Sequence, residues 1–306
     1  MTDYSYIGVG KVSLRVAGSA APLRFVGNCS ALNFAIEEET KELKDFTQGG
    51  GGTYNEVRRV SGVTCSMSLH DLSPENLAIA LFGDVTTIAA AAVTTEAHVG
   101  YKGGLVAASN IIDTTVAPVI TAGGAAASRT NGMSMALGDL IKPATPNDYY
   151  YKVTTAGTAA GSPPSFGTTV GGTTSDGTAV LTCMGKTALV EDTDYTVSGG
   201  GIYLTETASF TDGQSLNFAY TKADASAIDA LLNSSQEYEI FFDGLNEARS
   251  GKSTTIHAFR VKIGAAKDVA LIGEDYAVQE LEGKVLKDTT KNGTNESQYF
   301  KARITA

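Results

Sequence analysis

The chain has 306 residues, of which 42% are hydrophobic, with 34 glycines, 7 prolines and no tryptophan; this excludes a disordered chain and leaves room for one large or two ordinary domains. A formal charge of -10 and a pI of about 4.8 argue against a protein whose work is to grip a phosphate backbone, because that grip comes from clustered Lys and Arg releasing counterions. Cys29, Cys65 and Cys183 form no Cys-x-x-Cys pair, so free thiols in a reducing compartment at synthesis are expected.

From the start of the chain, Met1 to Val16 has neither the basic start and apolar block of a signal peptide nor a small-residue cleavage site. The sequons at Asn28, Asn233, Asn292 and Asn295 therefore carry no information on glycosylation. No apolar run is long enough to cross a bilayer, and membrane insertion is not expected. Val12, Leu14 and Val16 alternate with polar residues, and Leu23 and Phe25 to Val26 start a second strand after Pro22.

The richest stretch runs from Ala31 to Gly83. Leu32, Phe34 and Ile36 alternate with Asn33, Ala35 and Glu37, and the segment then turns polar through Lys44. After the turn Gly49-Gly50-Gly51-Gly52 the order reverses: Val57, Arg58 and Arg59 come first, then Val63, Cys65, Met67 and Leu69 alternate with Thr64, Ser66 and Ser68. The pattern predicts a long hairpin arm with a buried base and a hydrated tip. A two-stranded ribbon is marginal alone, so a partner, a second copy of the chain, is expected against it. A helix follows, with Ser73 as N-cap, Pro74 at its first position, Glu75 in its first turn and Gly83 as terminator.

From about Thr86 to Ala223 the texture is Ala, Gly, Thr and Ser, with hairpin-type turns at Asp176-Gly177 and Asp212-Gly213. We read an inserted β-rich domain over residues 86–225, with a nested module at about 143–185, inside a discontinuous β-core of residues 1–85 and 226–306. A short helix is expected from Ala225, carrying Ile228, Leu231 and Leu232. Strands are expected at Glu237 to Phe242, Thr255 to Ile263, Tyr276 to Val285 and Gln298 to Ile304, with Phe259, Val261 and Ile263 on one face and Ala258, Arg260 and Lys262 on the other. The fold class is all-β with one or two short helices.

Motifs for catalysis are weak. Gly251-Lys252-Ser253-Thr254 lacks the earlier glycine of a phosphate loop and reads as a hairpin turn. The glycine run at 49–52 is followed by no helix start to cradle phosphate. His70, His98 and His257 have no metal-ligand spacing, and Asp192 with Asp194 lacks the rest of a calcium loop. No Gly-x-Ser-x-Gly elbow is present. No enzyme activity, cofactor, metal or catalytic residue is expected.

Residues 32–83, LNFAIEEETKELKDFTQGGGGTYNEVRRVSGVTCSMSLHDLSPENLAIALFG, resemble the major tail tube proteins of long-tailed, siphovirus-like bacteriophages. The likeness continues in EAHVGYKGGLV from Glu96, DYTVSGGGIYL from Asp194, FTDGQSLNFAYT from Phe210, YEIFFDGLNEA from Tyr238 and KDVALIGEDYAVQELEGKVLKD from Lys267. The resemblance implies a β-sandwich or half-barrel subunit that closes into rings, commonly hexamers, stacked into a hollow virion tube. It further implies transient passage of double-stranded DNA at ejection, partnership with tape measure and tail terminator or tip proteins, synthesis in the host cytoplasm, and an inserted domain on the tube's outside. Beside it, the charges give candidate lumen or inter-subunit carboxylates, Glu37, Glu39, Glu42, Asp45 and Glu56, which would repel DNA phosphates and let the polymer slide. Gly49, Gly50, Gly51 and Gly52 are the candidate turn of the assembly arm. A competing expectation is a surface adhesin whose insert binds carbohydrate through Tyr149 to Tyr151 and Phe166.

Overall fold

The structure, a computed structural model, describes residues 5–47, 49–124, 126–234 and 236–305. Gln48 in the glycine-rich turn, Met1 to Tyr4 and Ser235 of the Asn233 sequon lie outside the described residues. The chain divides into two compact units, Met1–Thr86 with Ser226–Ala306, and Thr87–Ala225. Strands dominate both. Among the described residues there is one α-helix, with a single 3-10 turn at Glu247–Arg249.

The first unit holds an eight-stranded sheet. Its strands are β1 (Gly8–Val16), β2 (Arg24–Phe25), β3 (Cys29–Lys44), β4 (Thr53–Leu69), β5 (Tyr238–Asn246), β6 (Lys252–Ile263), β7 (Gln279–Val285) and β8 (Phe300–Ile304). The order is β2-β1-β5-β6-β7-β4-β3, with β8 also paired to β6. The two ends of the sequence thus pair, since Leu14 of β1 faces Ile240 of β5. The sheet folds over a shared core: Val12, Leu14, Ile240 and Ala258 from one half pack with Val63, Cys65, Met67, Leu69 and Leu281 from the other. It does not close, because β2 and β3 remain at its two ends.

Helix α1 (Pro74–Leu81) covers part of this core, and the Ser73 hydroxyl accepts from the Asn76 amide at 3.2 Å. Asn76 is wholly buried, yet its side-chain amide donates to the Val26 and Asp71 carbonyls and its carbonyl accepts from Arg24, so no buried polar atom there is left unpaired. The helix ends at Phe82, which takes the left-handed conformation (φ 53), one residue before the expected Gly83. Glycine is needed at 83 for close approach instead: a Cβ there would lie 2.6 Å from the Asp229 carbonyl oxygen.

The helix expected from Ala225 is a strand, Ala225–Asp229, paired to Asp84–Ile88. The amides of Leu231, Leu232 and Asn233 then donate to the Leu81 and Phe82 carbonyls at 2.8 Å each. These apolar residues close the open end of α1 rather than forming a helix of their own, and satisfying orphan carbonyls overrides their helical spacing.

The expected face of β6 also needs correction. Tyr238 pairs with Val261 but Ile240 with Ala258, so β6 holds one extra residue and its inward face changes parity at this bulge. Ala258 joins Val261 and Ile263 in the core. Phe259 turns the other way, its ring 4.9 Å from that of His257 and 5.3 Å from Lys291 Nζ. The strand expected from Tyr276 begins only at Gln279.

The second unit has two cores. In the first, the three-stranded sheets Ala91–Gly100, Gln214–Lys222, Val119–Ala122 and Tyr195–Ser198, Gly201–Leu204, Leu105–Ala107 pack around Ile120, Ile202, Phe210, Leu216 and Phe218. The second belongs to the nested module, a five-stranded sheet from Ala127–Ser128 to Ala179–Lys186 around Ile141, Tyr151, Val153, Leu181 and Cys183. Its strands begin at Ala127 and its core takes Met135, so the module starts ahead of Pro143. Adjacent Tyr150 and Tyr151 face different cores, which buries both.

Candidate functional site

The arm predicted from the sequence is β3 and β4, paired from Cys29↔Leu69 out to Lys44↔Thr53. At its base the core face carries Leu32, Phe34 and Ile36 opposite Met67, Cys65 and Val63. Beyond Glu37 the partners of β3 change: Glu37 pairs with Gly62 but Glu38 with Val60, so Ser61 bulges and the far ribbon leaves the core. Every residue from Glu37 to Lys44 and from Thr53 to Val60 is exposed. At about 3.4 Å per residue, the seven residues past the bulge carry the tip on the order of 25 Å out.

The five candidate carboxylates do not form one cluster. Cross-strand partners share a face, so Glu42 and Glu56, directly opposite each other, lie on one face with Glu38, Thr40 and Arg58. Glu37 and Glu39 lie on the other, with Lys41, Leu43 and Arg59. Facing Glu42 and Glu56 repel, and the repulsion is relieved by the Arg58 guanidinium on Glu56. Lys41 reaches Glu39 at 3.7 Å. Asp45 sits at the turn, where hydrogen bonds from the Thr47 hydroxyl and amide, at 2.6 and 2.8 Å, hold its pKa below the usual value. From Glu37 to Val60 six carboxylates meet four basic side chains, which leaves the arm slightly acidic.

Gly49 to Gly52 make the tip, with Gly50 (φ 130) and Gly51 (φ 66) in conformations that side chains resist. Beside them Phe46 is 84% and Tyr54 70% exposed, and Leu43, Val57 and Val60 are also open to solvent. Sequence reasoning passed over Phe46 and Tyr54. Their signal was two aromatics flanking a glycine run in a charged hairpin.

The sheet itself is unfinished at both ends. Among the described residues no strand pairs with the outer edge of β3. At the other end β2 covers β1 at Ser13 and Leu14, and among the described residues no strand covers the Gly8 to Lys11 edge. Unpaired edges are templates for another chain unless they are covered.

The remaining polar clusters read as fasteners. Glu96 accepts from the Ser109 amide and hydroxyl at 2.8 Å each, from Tyr220 at 2.5 Å, and lies 2.8 Å from His98 Nε2. Burial raises its pKa, but these bonds outweigh burial and bring it down to about 2. The Ser109 hydroxyl bonds to the carboxylate and not to the imidazole, which is the wrong pairing for nucleophile activation. Glu239, nearly buried, takes Arg15 at 2.6 Å and His257 at 2.5 Å. Burial pushes its pKa up and those two partners hold it below the ordinary value.

Asp194 is consumed by the Val190 and Ser209 amides at 2.9 and 2.7 Å, while Asp192 sits in a left-handed turn. Gly251 begins the return of the β5–β6 hairpin. Among the described residues no group of three His, Cys, Asp or Glu side chains is placed to hold a metal, and no helix is long and apolar enough to cross a membrane. Of the aromatic residues considered for sugar stacking, Tyr150 and Tyr151 are buried, whereas Tyr149 and Phe166 are half-buried, Phe166 packing on Tyr151 with centroids 4.9 Å apart.

Residues 5–133 and 167–303 match the family described as Protein of unknown function UCP028589. The chain belongs to that family. The unmatched stretch 134–166 falls within the nested module and includes the strand Tyr149–Thr155 at the centre of its sheet. The arm, both sheet edges and α1 all lie inside the matched residues. No curated protein matches the chain.

Proposed function

We propose that this chain is a structural virion subunit, the tail tube protein of a long-tailed phage, whose copies join into rings that stack as a conduit for DNA ejection. One observation carries the reading: among the described residues a single sheet ends in open edges on both sides and extends an arm that leaves Phe46 and Tyr54 exposed. The two edges differ, one long and one short, so joining β3 of one copy to the β1–β2 end of the next is a head-to-tail contact, the kind that closes into a ring. Backbone groups along the joined stretch then find partners in a closed ring rather than in an endless sheet.

The arm's slight acidity and the chain's net charge of -10 fit a bore that passes a polyanion without holding it, since repeated carboxylates repel phosphate. In this reading the chain is not an enzyme. Its partners are other copies, tape measure and terminator or tip proteins, and DNA in transit, and it resides in the virion after synthesis in the host cytoplasm. Negative-stain microscopy of purified protein across a concentration series tests it. Rings or tubes are expected, and a dispersed single particle at the highest concentration contradicts it.

A further inference from the structure

Residues 264–278, between β6 and β7, contain no helix or strand. A structureless connection this long inside a compact unit is uncommon and usually functional. It carries the run Val269-Ala270-Leu271-Ile272 and then Glu274, Asp275 and Tyr276. Leu271 is 79%, Ile272 98% and Tyr276 94% exposed. Consecutive apolar side chains held in water mark a surface awaiting a partner.

The same unit offers a complementary surface. On the sheet face away from the core, an open groove of about 570 Å³ runs over Asn33, Ala35, Thr64, Ser66 and Gly283, a floor of small side chains. Lys262 and Lys284 line it and are paired directly opposite in the register of β6 and β7. Like charges in that position weaken an antiparallel pair. Among the described residues neither lysine has an ion-pair partner, and the adjacent Glu282 is held by Lys267 at 2.9 Å. Glu282 also lines the groove, but its carboxylate is taken by Lys267, so among the described residues the lysine pair has no ion-pair partner and lies beside a floor of small side chains.

We propose that the groove of one copy receives residues 269–276 of a second copy, with Glu274 and Asp275 set against Lys262 and Lys284 and with Leu271, Ile272 and Tyr276 laid over the small-residue floor. Charge and size match on both sides. The chain's own loop leaves these side chains in water, and its root, Gly264 and Ala265, already forms part of the groove wall. The contact rests on the self-assembly reading and gives it a second joint, made by side chains on one face of β3, β4, β6 and β7 rather than by backbone at the sheet edges.

Equimolar isotope-labelled and unlabelled chains, assembled together and treated with a zero-length carbodiimide, test this by mass spectrometry. The expected product is an amide joining Lys262 or Lys284 to Glu274 or Asp275 in mixed-label pairs. Lys284→Glu should reduce assembly, and adding Glu274→Lys with Asp275→Lys should restore it. Same-label links alone would mean that the loop folds onto its own groove, which overturns the proposal. Assemblies whose lysine links run only to arm carboxylates, or that lack any such link, overturn it while leaving the tube reading intact. No assembly at any concentration overturns both.

Discussion

The two units solve the problem of unsatisfied groups in opposite ways. In the second, a buried charge is paired internally: Arg129, 1% exposed, makes a two-pronged bond to buried Asp176 at 2.8 and 2.9 Å and donates to the Ala160 and Ser162 carbonyls. One guanidinium thereby ties three loops of the nested module together. Among the described residues, the first unit leaves a sixteen-residue strand edge, a projecting ribbon and an apolar loop without partners. The second unit still buries the Tyr150 hydroxyl without a partner, but it is the first whose strand edge, ribbon and loop stand open, and that unit is the one that meets other copies in the proposed tube.

The largest effect should come from removing the arm's end. Deleting Thr47 to Tyr54 takes away the turn and Tyr54 but no core residue of the first unit. Circular dichroism should remain that of a folded β-protein while rings and tubes disappear from micrographs; normal tubes would remove the arm from the account. Next is Arg129→Ala, which strands a buried carboxylate and should cost about 3–5 kcal/mol in the second unit. Calorimetry should show one transition moving down while assembly of the first unit persists, and an unmoved transition would contradict the role given to the ion pair.

Acid provides a smaller, graded test. The Glu96 pKa is lowered from 4.5 to about 2, and Asp176 is also held below the ordinary value, first by the Arg129 bond. Both are depressed on folding, so their stabilisation is complete above the unfolded values and is lost as pH falls through the folded ones. The second unit should lose stability progressively between about pH 4.5 and pH 2. Glu96→Gln should flatten that dependence in near-ultraviolet dichroism, and an unchanged acid profile would show that the Tyr220 and Ser109 bonds contribute nothing.

The sequence made some of this legible. The base of the arm could be read because Val63, Cys65, Met67 and Leu69 alternate strictly along a half-buried strand. Helix α1 could be read from Ser73 and Pro74, whose signals are local. The face of Glu56 could not, because Ser61 shifts parity along β4, nor could that of Phe259, because β6 carries an extra residue; a bulge leaves no mark in hydropathy. Leu231 and Leu232 misled because their task, closing the end of α1, is set by a helix about 150 residues earlier in the chain. The Lys262 and Lys284 pair was invisible for a similar reason, being a product of register rather than spacing.

The account stands on copies of this chain finishing one another's sheets. A cryo-electron microscopy reconstruction of the purified, concentrated protein tests that most directly. It should show the outer edge of β3 hydrogen-bonded to a strand of the adjacent copy, around a bore with more carboxylates than basic side chains. Particles in which the β3 edge faces solvent, or a bore dominated by lysine and arginine, would contradict it.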